Sequence, residues 1–353
     1  MEKDKKHIIF IIPSLAAGGA ERIFSFVSQK LNKEKFKVEL LVIGSALDSV
    51  YPIDNVETIY LNKPKISKAF LKIIKVFKSK KPDIVLSSIA HLNSMMAGIS
   101  ILFPNIKFVA REANVISVLD QYNKSNVLPK SVIVKTNRFI DRFIAQSKDM
   151  KEDMIKNFGI PEDKIELINN PITSKISLKK STVHSLLKFI TVGRLSKEKG
   201  HDRILRALGQ LNFPFSYTII GDGNEAKNVF ALAKELNIQN INHIPFTSDV
   251  GKELGNHDIF LQGSYVEGFP NVLLESCMAG TPIIAFQAPG GLNEIIEPNI
   301  NGLIAQNEDE FISHLNHINQ VFPFEAEEVR KIVLDRFNED KIISQYENLL
   351  LNL

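Results

Sequence analysis

Short apolar runs recur along the chain, most of them closed by Gly, Pro, Asn or Ser. In the first half they fall at residues 7–12, 38–43, 56–61, 84–86, 108–109 and 143–145. In the second half they fall at 188–192, 215–220, 258–262, 281–286 and 301–304. They are rich in Ile and Val and mostly lack polar alternation, which is the pattern of parallel strands buried on both faces. Helical spacing lies between them. After Gly18 and Gly19, the positions Ile23, Phe24, Phe26, Val27 and Leu31 form one inner stripe. In residues 66–81 a second stripe comprises Ile66, Ala69, Phe70, Ile73, Ile74 and Phe77, with Lys68, Lys72 and Lys75 opposite and Lys78, Lys80 and Lys81 crowding the end. Strand–helix alternation repeated in this way predicts an α/β chain with mostly parallel sheets.

The series pauses once. Residues 173–187 are rich in Ser, Thr and Lys and carry no clear period, so they read as a linker. The chain therefore divides into a Rossmann-like domain at 1–172, a linker at 173–187, a second Rossmann-like domain at 188–336 and a C-terminal helix at 337–353. A length of 353 residues suits two domains.

Charge is more informative than composition. The net charge of +3 conceals an asymmetry: residues 1–172 carry 27 Lys and Arg against 18 Asp and Glu, and residues 173–353 carry 16 against 22. A basic half points to a negative partner, either nucleic acid or an anionic membrane surface. The helix at 66–81 is either a sheet-packing helix with a solvated lysine face or one that rests its lysines on lipid headgroups. The single cysteine, Cys277, excludes an internal disulfide and a zinc cluster and suits a reducing cytoplasm. No apolar run is long enough to span a bilayer. D-x-D, H-E-x-x-H, the P-loop and G-x-S-x-G are all absent, which argues against metal-dependent transfer, zinc hydrolysis, nucleoside triphosphate hydrolysis and a serine nucleophile.

Candidate chemistry concentrates in the second domain. Residues 263–280 read strand end, tight loop, helix: Gly268, Phe269 and Pro270 break the strand and Asn271 is placed as the helix N-cap. Backbone N–H groups of Gly268, Phe269 and Asn271 then offer an anion site at the helix start. Glu275 is placed to accept from vicinal hydroxyls, and Glu267 lies in the loop. Gly193-Arg-Leu-Ser-Lys-Glu-Lys-Gly200 follows the strand 188–192. Its Arg194 and Lys199 suit a diphosphate and would stabilise the charge that grows as a nucleotide leaves. Gly221-Asp-Gly-Asn-Glu-Ala226 fits G-x-G-x-x-A, although no acidic residue follows at the offset a dinucleotide-binding fold uses.

Glu267 and Glu275 have the E-x7-E form of retaining glycosyltransferases, in the context E-G-F-P-N-V-L-L-E-S. With G-R-x-x-x-x-K-G at 193–200, G-G-A-E-R at 18–22 and Asn170-Pro171, the chain resembles glycosyltransferase family four. That resemblance implies the GT-B fold, with two Rossmann-like domains facing across a cleft, and a metal-independent retaining hexosyltransferase. It implies that Glu267, Arg194 and Lys199 are catalytic. It implies that Gly18, Gly19, Gly193, Gly221, Phe246, Gly268, Phe269, Asn271 and Glu275 line the donor. Glu21, Arg111, Glu112 and Asn114 would meet the transferred sugar or the acceptor, and the last helix would cross back onto the first domain. The implied donor is a UDP-sugar, with no other cofactor, and catalysis is completed by domain closure. The implied acceptor is an undecaprenyl-diphosphate-linked saccharide in surface-polysaccharide assembly, met on the inner face of the cytoplasmic membrane. A soluble acceptor, an NAD-dependent oxidoreductase built on Gly221 and Gly223, and a non-catalytic nucleotide-sugar-binding module stand as alternatives.

Overall fold

Thirteen strands among the described residues form two separate sheets, and every strand pair in both is parallel. The computed structural model describes residues 5–122, 130–180 and 186–353. Residues 181–185 of the expected linker therefore lie outside the described residues. Two compact units result. Among the described residues, the first comprises 5–117, 130–173 and 339–353, and the second comprises 118–122, 174–180 and 186–338.

The first unit holds β1 (Lys6–Ile12), β2 (Phe36–Val42), β3 (Glu57–Tyr60), β4 (Ile84–Ser88), β5 (Lys107–Arg111), β6 (Arg142–Ala145) and β7 (Ile165–Leu167). Their order is β3-β2-β1-β4-β5-β6-β7, so the winding reverses between β1 and β4. Central strands are apolar throughout because helices cover both faces: Ile8 to Ile12 are all fully buried. The helix Glu339–Leu351 completes this core, placing Ile342, Ile343, Tyr346, Leu349 and Leu350 in the same cluster as Ile8, Phe10 and Ile12. Of the inner stripe of the helix Gly19–Lys30, Ile23, Phe24, Val27 and Leu31 are buried, whereas Phe26 is only half-buried.

The second unit holds β8 (Leu187–Val192), β9 (Phe215–Ile220), β10 (Ile241–Ile244), β11 (Ile259–Gln262), β12 (Ile283–Phe286) and β13 (Gly302–Ala305). The order β10-β9-β8-β11-β12-β13 is that of a dinucleotide-fold sheet, with its reversal between β8 and β11. Residues 174–180 do not hang free as a linker. Ile176 is buried, Lys179 N–H donates to the Ala279 carbonyl at 2.9 Å, and its ammonium donates to the His257 carbonyl at 3.1 Å.

Several elements differ from expectation. The short strands β7 and β10 escaped notice because each offers too few residues for a period to register. Residues 66–69 form a 3-10 turn ahead of the helix Phe70–Lys80. That turn shifts the face: Ala69, Ile73 and Phe77 are buried, and Phe70, assigned inward, is 38% exposed. β5 runs on to Arg111, which is thus a strand residue and not a loop residue. No helix of the described residues is long and apolar enough to cross a membrane.

Candidate active site

At the reversal of the second sheet, the loops after β8 and β11 are pressed together. Gly200, at φ +57°, and Gly263 face each other so closely that a Cβ on either would fall on the other's carbonyl oxygen. Tyr265 N–H donates to the Glu198 carbonyl at 2.8 Å. The loop after β12 joins from the other side, through Glu267 N–H to the Pro289 carbonyl at 2.9 Å and Gly291 N–H to the Gly268 carbonyl at 2.9 Å. Three loops from three adjacent strands are thus locked by main-chain bonds at the carboxyl ends of the strands, where open α/β sheets bind ligands.

This locking brings Lys199 and Glu267 together from positions 68 residues apart. Lys199 Nζ donates to Glu267 Oε1 at 2.6 Å, and Ser264 Oγ and Gln262 Nε2 donate to the same oxygen at 2.6 and 2.9 Å. Glu267 is buried, and no donor reaches its Oε2 among the described residues. An ammonium has three donors, so Lys199 keeps two while paired. Arg194 is exposed on the same loop, and its guanidinium makes no hydrogen bond or ion pair among the described residues. Gly193 has open space where a side chain would project. The arrangement offers a cation-rich rim over an oriented carboxylate.

The helix after β11 runs Asn271–Met278, with Pro270 in the cap position. Asn271 is therefore the first helical residue, a correction to its assignment as N-cap. Pro270, at φ −74° and ψ 101°, supplies the extended entry that a cap residue needs. Phe269 turns its ring into the core, edge-on to Phe337 at 5.3 Å, so only its main chain can face a ligand. Glu275 is half-buried, with Ser174 Oγ at 3.5 Å from Oε1.

Gly221 and Gly223 have a packing reason of their own. A Cβ on Gly221, at φ +134°, would strike the Gly193 carbonyl, and one on Gly223 would strike the Leu195 carbonyl. Leu195 N–H donates to the Asp222 carbonyl at 3.0 Å, so the G-x-G-x-x-A match marks two loops in contact. Phe246 follows the edge strand β10, two strands from β8, and is 74% exposed. Arg203 was missed. Sitting in the helix His201–Leu208, it donates to the Gly263 and Ser264 carbonyls, and nothing in the local sequence distinguishes it from a solvated helix residue.

In the first unit the expected residues gather at the reversal between β1 and β4 and at the end of β5. Gly18 is held through its main chain: the Tyr51 hydroxyl donates to its carbonyl at 3.0 Å and accepts from its N–H at 3.2 Å. Gly19 opens the helix behind it, and the Glu21 carboxyl occupies the space where a Gly18 side chain would lie. Arg111 is fully buried, its guanidinium donating to Asn170 Oδ1 at 2.6 Å and Ser88 Oγ at 3.3 Å, which ties β5 to β4 and to the Asn170-Pro171 turn. Glu112 is buried, accepts from Asn93 Nδ2 at 2.7 Å, and is pushed up to about 7, chiefly by burial. Asn114 turns its Oδ1 back onto Val115 N–H at 2.8 Å. Ile89, a β-branched residue at φ 81° and ψ 128°, closes β4 in a conformation that costs free energy.

Two parallel α/β units, with paired cationic and acidic loops at the reversal of the second, are the framework of a GT-B glycosyltransferase. Residues 17–175 match the model described as Glycosyltransferase Family 4, and residues 175–321 match Glycosyl transferases group 1. The chain belongs to the family-four glycosyltransferases. It is 28% identical over 320 residues, 86% of each chain, to a Campylobacter jejuni N-acetylgalactosamine-N,N'-diacetylbacillosaminyl-diphospho-undecaprenol 4-alpha-N-acetylgalactosaminyltransferase. It is 30% identical over 224 residues, 60% of this chain and 62% of the relative, to an Escherichia coli lipopolysaccharide 1,6-galactosyltransferase. Its fold matches that of an Anabaena protein crystallised with UDP-glucose, with a TM-score of 0.81 at 20% identity, covering 98% of this chain and 100% of that one.

Proposed function

We propose that the chain is a retaining, metal-independent glycosyltransferase that moves a sugar from a UDP-sugar to a polyprenyl-diphosphate-linked saccharide in bacterial surface-glycan assembly. The observation that carries the mechanism is the Lys199–Glu267 pair at 2.6 Å, beside the exposed Arg194, at the reversal of the second sheet. In this reading Arg194 and Lys199 take the diphosphate, with the helix start at Asn271 beyond it. Glu275 takes the ribose hydroxyls. The unoccupied Oε2 of Glu267 takes a hydroxyl of the donor sugar. This reading calls on no second carboxylate as a nucleophile-and-acid partner of Glu267, and substitution is front-face. The bond from the sugar's anomeric carbon to the phosphate oxygen breaks as the acceptor oxygen bonds to the same face. The electron pair leaves on the diphosphate, and the acceptor's proton goes to the departing phosphate oxygen. Catalysis is electrostatic and positional: the two cations stabilise charge that exists fully only as the nucleotide leaves.

The lipid acceptor is supported by the Campylobacter relative, whose name specifies a diphospho-undecaprenol substrate. It is also supported by one surface of the first unit. Lys65, Lys68, Lys75 and Lys78 are exposed around Leu71, which is 76% exposed. Ile101 and Leu102, 55% and 57% exposed, follow close by, joined to that helix through the Phe77–Phe103 ring contact at 5.8 Å. Apolar tips among unpaired lysines suit the headgroup region of an anionic membrane, met as a peripheral protein from the cytoplasmic side.

The test is a thermal-shift titration with UDP, GDP, ADP and NAD on wild type and Glu275→Ala. UDP at a hundredfold excess over its Kd is expected to stabilise wild type by about 2.7 kcal/mol and the variant much less. Transfer in the presence of EDTA, with the product's anomeric configuration read by NMR, follows. Stabilisation by NAD alone, or an inverted product, overturns the reading.

A further inference from the structure

Arg203 is half-buried, and its guanidinium forms no ion pair among the described residues, although the Asp202 carboxylate acts on it electrostatically. Its guanidinium lies between two rings, 4.3 Å from the Tyr265 centroid and 4.4 Å from that of Phe286. Each ring is fixed in turn. Tyr265 stacks on Tyr122 at 5.2 Å and donates its hydroxyl to Asp202 at 3.2 Å, and Phe286 stacks on Phe311 at 4.2 Å. In its plane the guanidinium donates from Nε to the Gly263 carbonyl and from Nη2 to the Ser264 carbonyl. Two successive carbonyls are thereby held by one rigid fork. Main-chain placement of Ser264 decides where its Oγ lies, and that Oγ donates to Glu267 Oε1 at 2.6 Å.

We infer that Arg203 is a positioning residue for Glu267, acting through the Gly263–Ser264 turn without touching the ligand. The inference rests on the role proposed above for Glu267. The geometry demands arginine: lysine offers a point charge on a flexible stem and cannot fork across two carbonyls in the fixed geometry of a guanidinium. The Gly200–Gly263 apposition and the Tyr265 N–H bond to Glu198 restrain the main chain on either side, and Gln262 Nε2 donates to Ser264 Oγ at 2.8 Å, so the fork of Arg203 sets the carbonyls from which that oxygen is placed while Gln262 steadies the oxygen itself.

Arg203→Lys, which keeps the charge, tests this in two ways. By hydrogen–deuterium exchange, amides of residues 262–268 are expected to exchange about tenfold faster, while the flanking helices keep wild-type rates. Kinetically, kcat is expected to fall with the UDP thermal shift unchanged, because Arg194 and Glu275 are untouched. Ser264→Ala supplies the second axis. If Arg203 acts through Ser264, the double variant is no slower than the slower single variant, whereas independent effects multiply. Unchanged exchange at 262–268, or multiplicative losses, overturns the proposal. A wild type that transfers from no UDP-sugar rejects the donor reading instead, and the exchange result then decides the clamp alone.

Discussion

Asn93 Nδ2 stands 2.7 Å from Glu112 Oε1 and 3.0 Å from the Arg111 carbonyl, so one amide joins the helix after β4 to the end of β5. Its Oδ1 accepts from Ser87 Oγ at 2.7 Å, which fixes its orientation. Among the described residues the amide donor is the one group hydrogen-bonded to a carboxyl that burial otherwise makes reluctant to ionise.

That reluctance has a sign. The Glu112 carboxyl is raised from 4.5 to about 7 in the folded protein, so the folded state binds more protons than the unfolded one between those values. The stabilisation is full below pH 4.5 and is lost as pH rises through about 7. Glu112→Gln removes the titration. Relative to wild type, the variant is expected to gain stability from pH 5 to pH 8 by about 3 kcal/mol at most. In thermal melts the difference in Tm between the two proteins shifts by several degrees between those pH values.

Lys199→Met leaves Glu267 with Ser264 and Gln262 as donors but removes a cation from the leaving group. The expected loss in kcat is about 10²- to 10³-fold, the cost of one charge-stabilising donor. Initial rates with saturating donor measure it, and retained folding is checked by circular dichroism.

Gly200→Ala is expected to destabilise the second unit by more than the roughly 1–3 kcal/mol charged for a left-handed non-glycine residue. The new methyl would also meet the Gly263 carbonyl, so the loops after β8 and β11 must part. A melt shows the first effect. Loss of the UDP shift shows the second.

Lys68→Gln with Lys75→Gln is expected to weaken binding to vesicles containing anionic lipid by roughly 2 kcal/mol, about thirtyfold, at moderate salt. Co-sedimentation across a salt series measures this. Transfer to a water-soluble acceptor analogue is expected to remain unchanged.

Much of this site was legible as sequence because parallel strands announce themselves. Buried runs such as Ile8–Ile12 mark where loops must begin, and Arg194, Lys199 and Glu267 stand just past two of them. What sequence could not supply is which residues turn inward once the chain closes. Arg111 reads as a site-facing cation, yet it is fully buried and donates to Ser88 and Asn170. Gly221 reads as a nucleotide glycine, yet its freedom is used to admit the Gly193 carbonyl. Arg203 reads as surface, yet it is sandwiched between rings from residues 62 and 83 positions further on. Phe70 fits an inward stripe only if its helix begins four residues earlier than it does. Each of these depends on a contact distant in sequence, or on a half-turn of phase that periodicity does not resolve.

The helix Glu339–Leu351 gives the chain an order of assembly. The cluster around Ile8 and Phe10 is incomplete until Ile342 to Leu350 arrive. At roughly 5–20 residues per second, the ribosome needs on the order of ten to thirty seconds to travel from residue 173 to that helix. Through that interval the first unit waits with an open flank while the second is being made. The half of the molecule whose synthesis begins first cannot complete its core until the last helix has been made.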